Sequence, residues 1–279
     1  IENHLSSRPL ISLAEELREA HGDLPLEAIL SGEEISRLRL DGCSLSGLWK
    51  LENFMRAQEW IKIAHLKQPY RREILENLRS VAKRDVEAIV DRVRGGATFY
   101  VTPEGDFSRD GRLRPMRGGI VDALAPFADL WLCAVAYDPF QSGRLSMLYR
   151  VVPYEGIADL GMSLAAARPI TASALLGAFL FDRCEKFEIE DAVRAVRARL
   201  DSLPGSVFVD PELRQKPDAI VLNAIATLRK RGTLTGDLTS QRLTAARSDP
   251  RFPHIPDMIA FQRNMLDETL ASVRRLHPD

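Results

Sequence analysis

A chain of 279 residues that is 45% hydrophobic and 28% charged has an ordinary globular balance, long enough for one large domain or two modest ones around a sizeable core. Its formal net charge of −1 excludes a surface that grips nucleic acid throughout and leaves only local basic patches to consider. Cys43, Cys133 and Cys184 lack C-x-x-C spacing, which excludes the usual metal and redox frameworks and points to unpaired thiols in a reducing, cytoplasmic compartment.

The chain opens on Ile1 with neither Met nor a signal-peptide pattern, implying that residues upstream have been removed or left out. Residues 12 to 94 read mostly as helix. The clearest case is Glu73 to Arg94, where Ile74, Leu78, Val81, Ile89 and Val93 share one face. Gly95-Gly96 stops that helix, and Ala97 to Val101, β-branched and aromatic between a glycine pair and Pro103, reads as a strand. Gly118-Gly119 opens an apolar segment, Ile120 to Phe127, that suits a helix, and Leu130 to Tyr137 is an apolar run of strand length. Strand, loop, helix and strand make a βαβ unit. The expected fold class is therefore α/β, with a mainly parallel sheet covered by helices and ligands outside the carboxyl ends of its strands.

From residue 156 onward the pattern turns helical: Thr171 to Arg183, Glu190 to Leu200, Pro217 to Arg231 and Pro256 to Leu276. This predicts an α/β domain over residues 1–155 and a helical C-terminal region, 156–279, packed on it. Gly232 to Phe252 reads as the most flexible part. No apolar stretch reaches the ~18 residues of a membrane span; the nearest, Ile170 to Phe181, ends at Asp182 and Arg183.

Chemistry concentrates between Thr102 and Pro115, at the exit of the expected strand. Arg109, Arg112, Arg114 and Arg117 lie close together with Asp110 the only acid among them. Such arginines can fork onto phosphate oxygens, and N–H groups at a helix start near Gly118 would add to the attraction. A salt-bridged surface loop is the bland alternative. Pro103 and Gly105 make the turn stiffer than a mere connection needs, which favours a site. The glycines are not followed by Gly-Lys-Ser/Thr, so this is no P-loop. His21, His65, His254 and His277 lie at no metal-ligand spacing, and neither Ser6 nor Ser108 has a Gly-x-Ser-x-Gly setting. A metal site and a hydrolase nucleophile are not expected.

Pro103-Glu104-Gly105-x-x-Ser108-Arg109-x-Gly111-Arg112-Leu113 resembles the third motif of the glycerolipid acyltransferases, the family of glycerol-3-phosphate and lysophosphatidic acid acyltransferases. Four further segments agree in order. Asn3-His4-Leu5-Ser6 is similar to the first motif, Tyr70-Arg71-Arg72 to the second, and Cys133 to Tyr137 occupies the place of the fourth. Ile259 to Leu266 is similar to a late Tyr-x-Arg-Asn segment of the glycerol-3-phosphate branch. The resemblance implies His4 and Glu104 as the catalytic residues, His4 as general base and Glu104 placed near the acceptor and the base. Gly105, Ser108, Arg109, Arg112, Arg71 and Arg72 would then bind substrate.

Two positions depart from the pattern. The family's aspartate five residues after the histidine is Pro9 here, and its third-motif arginine falls on Phe107. Proline cannot orient an imidazole or stabilise an imidazolium.

The resemblance thus implies transfer of an acyl group from acyl-CoA or an acyl carrier protein to a hydroxyl of glycerol-3-phosphate or a related anionic lipid precursor. No cofactor beyond that co-substrate is implied, and no metal. The implied partners are the acyl thioester and the phosphorylated acceptor, with peripheral contact to a membrane surface and none with nucleic acid. The alternative is a catalytically degenerate protein that binds lipid or a partner. Arg194, Arg197 and Arg199 beside Val193 and Val196 raise a nucleic-acid-binding helix as a further rival, but outward arginines on a helix are ordinarily just solvated.

Overall fold

The computed structural model describes residues 7–105, 108–116, 118–143, 145–154, 156, 159–182 and 186–278. The chain forms two compact units, Ile1–Phe99 and Tyr100–Asp279.

Unit 1 opens with β1 (Ser7–Pro9), followed by α1 (Leu10–His21), α2 (Leu26–Ile29), α3 (Gly32–Leu38), a 3₁₀ turn Ser46–Trp49, α4 (Leu51–Ala57), β2 (Trp60–Lys62), a second 3₁₀ turn Ile63–His65 and α5 (Tyr70–Arg94). Leu10, Leu13, Ala14 and Leu17 recur at three- and four-residue steps and bury one face of α1. Gly22, at φ +79, turns the chain out of that helix. The Ser31 hydroxyl caps α3 by accepting from the Glu34 N–H at 3.4 Å. β1 and β2 pair antiparallel, with Pro9 opposite Trp60. These elements close over Leu26, Ile29, Leu30, Leu45, Leu48 and Ile61. α5 confirms the helix expected from Glu73 to Arg94, begins three residues earlier, and buries Ile74 and Val90.

Unit 2 begins with the polar loop and continues with α6 (Gly119–Leu124), β3 (Trp131–Asp138), β4 (Ser146–Pro153), α7 (Leu160–Ala167), α8 (Ala172–Asp182), β5 (Lys186–Glu188), α9 (Ile189–Asp201), α10 (Pro211–Gln215), α11 (Pro217–Lys230), β6 (Leu234–Gly236), β7 (Ser240–Leu243) and α12 (Met258–Leu276). Its core is built around α8, which is buried along most of its length. Gly177 lets α12 come close, since a Cβ there would stand 2.8 Å from the Gln262 Cβ. The Asp257 carboxylate caps α12 by accepting from the Ala260 N–H at 2.9 Å.

The expected parallel sheet does not form. Helices make up 53% of the chain, and all three sheets, β1-β2, β3-β4 and β5-β7-β6, are antiparallel. The one parallel pairing among the described residues is the isolated bridge between Ile170 and Val209. Residues 97–101, expected to be a strand, pair with nothing among the described residues, and Phe99 and Tyr100 are exposed. β3 is the strand expected at Leu130 to Tyr137, but its partner is β4, with Trp131 opposite Pro153 and Asp138 opposite Ser146. A hairpin between neighbouring segments closes a short loop, which costs less chain entropy than a crossover through α6. The βαβ unit is therefore replaced by a hairpin. Leu132, Ala134, Ala136 and Asp138 face inward, while Trp131, Tyr137, Tyr149 and Val151 are exposed.

Residues 232–252, expected to be flexible, are likewise folded: β7 pairs with both β5 and β6. Asp249 is buried there between Arg231 and Arg251, each at 2.7 Å. Among the described residues, no helix is long and apolar enough to cross a membrane.

Candidate functional site

In the loop from Thr102 to Met116, the described residues 102–105 and 108–116 carry two small hydrogen-bonded turns. In the first, the Gly105 N–H donates to the Thr102 carbonyl at 3.2 Å, and Gly105 takes φ +64, a conformation glycine adopts without strain. In the second, the Ser108 hydroxyl donates to Asp110 Oδ1 at 3.0 Å and accepts from the Gly111 N–H at 3.0 Å. The Arg112 N–H donates to the same Asp110 oxygen at 3.2 Å. Partial burial works against the Asp110 charge, but the Arg112 N–H, the Ser108 hydroxyl and the Arg112 cation outweigh it and hold the carboxyl below its usual range.

This double turn is fastened to α12 and to the residue that ends α7. Gly111 sits at φ +87 against α12, and a Cβ there would lie 2.1 Å from the Phe261 carbonyl oxygen. Asn264 donates through Nδ2 to the Asp110 carbonyl at 3.0 Å. Glu268, one turn further along α12, accepts the Leu113 N–H on both carboxylate oxygens, at 3.2 and 3.0 Å. Arg168 ties the set together: Nη1 donates to the Gly111 carbonyl at 3.3 Å, and Nη2 meets Glu268 at 3.0 Å. Its side chain is only 8% exposed. Burial lowers the Arg168 pKa, against the opposing pull of Glu268 and Glu104. Glu104 also accepts the Arg114 N–H at 3.2 Å.

The expected site residues therefore fall into distinct positions. Glu104, Gly105 and Ser108 shape and hold the loop. Arg109 and Arg112 are exposed, as is Arg114, and none of the three makes an ion pair among the described residues. They present three guanidinium groups to solvent from a fixed backbone. Arg71 and Arg72 belong to unit 1, exposed in the first turn of α5, with Arg72 only 3.9 Å from Glu76. His4 and Phe107 lie outside the described residues. Pro9, where the resemblance would place a carboxylate, belongs to β1 and leads into α1.

The helix start near Gly118 adds nothing for an anion. α6 has six residues and carries Asp122 in its own first turn, with a carboxylate oxygen 3.5 Å from where a Gly118 Cβ would be. The arginines of α9 are partly committed as well, since Arg194 pairs with Asp191 at 2.9 Å and Arg197 with Asp218 at 2.6 Å. In unit 1, His65 bonds through Nδ1 to the buried Glu34 at 2.9 Å, and the same carboxylate holds Arg37 at 2.6 Å. No group of His, Cys, Asp and Glu side chains able to hold a metal ion occurs among the described residues.

Arg168 and Glu268 are the members of this site that the sequence pattern did not single out. A signal existed for the first: Arg168 is the lone charge in the run Leu164 to Leu176, and an arginine in such a setting is ordinarily paired. Glu268 gave none. Asn264 falls within the segment Ile259 to Leu266, and its side chain reaches the loop at the Asp110 carbonyl. No protein-family model, curated protein or solved structure matches the chain.

Proposed function

We propose that this chain transfers an acyl group from acyl-CoA or an acyl carrier protein to a hydroxyl of glycerol-3-phosphate or a related anionic lipid precursor. The loop Thr102 to Met116 would hold the acceptor's anionic group. The observation that carries this reading is the combination of a fastened loop with three outward arginines that make no ion pair among the described residues. Fixing the backbone that carries the guanidinium groups lowers part of the ordering cost of binding, and several forked donors suit the multiple oxygens of a phosphate.

In the chemistry proposed, His4 takes the proton from the acceptor hydroxyl as its oxygen attacks the thioester carbonyl. The C–S bond then breaks, and the departing thiolate takes up the proton from the His4 imidazolium. Glu104 acts on the loop, through the Arg114 N–H and the field it places on Arg168. The acyl thioester is a co-substrate, and no further cofactor enters.

Transfer of labelled acyl groups from acyl-CoA to glycerol-3-phosphate tests the reading. Arg109→Ala combined with Arg112→Ala should raise the acceptor KM at least tenfold, each lost charge-assisted contact being worth about 1.5–3 kcal/mol. His4→Ala should abolish turnover. Equal activity in the variants overturns the assignment. A second reading, a lipid- or partner-binding protein without turnover, is favoured by Pro9, which offers no carboxylate to orient a histidine. It predicts phosphate binding that needs the same arginines, with no transfer.

A further inference from the structure

The most exposed large apolar side chains of unit 1 lie within one short stretch. Leu51 is 94% exposed, Met55 76% and Trp60 65%, and the rings of Trp49 and Phe54 are partly exposed beside them. The geometry of α4 explains the first two. Asn53 and Ala57 are its buried residues, and Leu51 and Met55, also one turn apart, project from the opposite side. In β2 the alternation that buries Ile61 turns Trp60 and Lys62 outward. A seven-residue helix is only ~10 Å long, so Leu51, Phe54 and Met55 lie close together, with Trp49, under the Arg18 guanidinium at 4.6 Å, two residues before the helix and Trp60 three residues beyond its end.

The charges around it are lopsided. Lys50, Arg56 and Lys62 are exposed and make no ion pair among the described residues. Of the two acids in the same stretch, Glu59 is neutralised by Arg37 at 2.9 Å, leaving Glu52. Leucine, methionine and tryptophan on an outward face, bordered by unpaired cations, are complementary to an anionic lipid surface. The apolar side chains enter the boundary between headgroups and acyl chains, tryptophan suits the headgroup level, and lysines meet phosphates. A second copy of this chain would instead set the same cations against one another.

We infer that this face of unit 1 docks on anionic lipid bilayers, with Leu51 and Met55 inserting and Lys50 and Lys62 meeting the headgroups. The inference is independent of acyl transfer and stands or falls separately from it. Co-sedimentation of the full chain with phosphatidylglycerol–phosphatidylcholine vesicles should exceed that with pure phosphatidylcholine and should weaken as salt rises. Leu51→Ser with Met55→Ser removes two inserting side chains and should lower partitioning by roughly tenfold or more. Both side chains are exposed, so far-UV circular dichroism of the double variant should match wild type. In a Trp49→Phe, Trp131→Phe background, Trp60 emission should shift to the blue on adding anionic vesicles. No binding by the wild type, undiminished binding by the double variant, or a concentration-dependent dimer that the double variant abolishes would each overturn the assignment.

Discussion

Replacing Arg168 with methionine removes the charge that joins the loop to α12 while keeping most of the side-chain volume. The guanidinium is 8% exposed and meets Glu268 at 3.0 Å, and its other end holds the Gly111 carbonyl at 3.3 Å. Breaking a buried pair from one side costs about 3–5 kcal/mol, because the partner is left charged and desolvated. Glu268 is 26% exposed and keeps the Leu113 N–H as a donor, so solvent and that bond offset part of the loss. We expect about 2–4 kcal/mol for Arg168→Met. Glu268→Gln, which keeps an acceptor for Leu113, should cost less, about 1–2 kcal/mol. The double variant should cost clearly less than the sum, since either change alone strands the other residue. Urea denaturation followed by Trp131 fluorescence, in a Trp49→Phe, Trp60→Phe background, reports on unit 2. A cost below about 1 kcal/mol for Arg168→Met, or strict additivity, would refute the claim that this pair fastens the loop.

Gly111→Ala should destabilise unit 2 by about 2–5 kcal/mol, combining a positive φ with a backbone clash, because its Cβ would meet the Phe261 carbonyl at 2.1 Å. Gly205→Ala, with nothing within 4 Å, is the control and should be near neutral in the same denaturation experiment. Asp138 is buried at the end of β3, and burial pushes its pKa up to about 6 against the hydrogen bonds from Ser173, with Asp210 adding repulsion. The folded state holds this proton more tightly than the unfolded chain does, so stability falls by about 3 kcal/mol as pH rises from about 4 to about 6, and stays reduced above that. Asp138→Asn should raise stability at pH 7.5 and flatten this stretch of the curve, and a variant less stable than wild type there would contradict the assignment.

The helices were legible where one periodic face meets a core. α5, α8, α9, α11 and α12 lie within a few residues of their expected bounds because positions such as Val221, Ala224, Ile225 and Leu228 in α11 recur at helical steps and are buried. Strand pairing was not legible. Trp131 to Asp138 is apolar on both faces, which reads as a strand buried on both sides of a parallel sheet, yet only one face is buried. β4 carries Arg150 in mid-strand, where its guanidinium lies 5.6 Å from the Phe208 ring rather than in solvent alone. The turn between β6 and β7 depends on one carboxylate. Asp237 accepts the Thr239 and Ser240 N–H groups at 2.8 and 2.7 Å, and these bonds hold its pKa down to about 2. A polar stretch of this kind reads as loose until its hydrogen bonds are known.

For the loop, the residues that face solvent were legible and those that fix it were not. Its fasteners stand 57 and 155 positions away in the chain, at Arg168 and Glu268, beyond the reach of any local pattern. Yet one local feature bears directly on the chemistry. Asp110, the sole acid between Arg109 and Arg117, is the natural partner for the neighbouring guanidinium groups, and a loop that spent it on them would be a self-neutralised surface turn. Its Oδ1 is engaged by the Ser108 hydroxyl and the Arg112 backbone, and it forms no ion pair among the described residues, although the Arg112 cation still helps to lower its pKa. The conformation that consumes that oxygen internally is the one Gly111 permits by accepting φ +87 against α12. The positions from which the arginines leave the loop thus depend on the backbone at Gly111, two residues away from Arg109. Substituting that glycine should therefore weaken anion binding even where every arginine is retained.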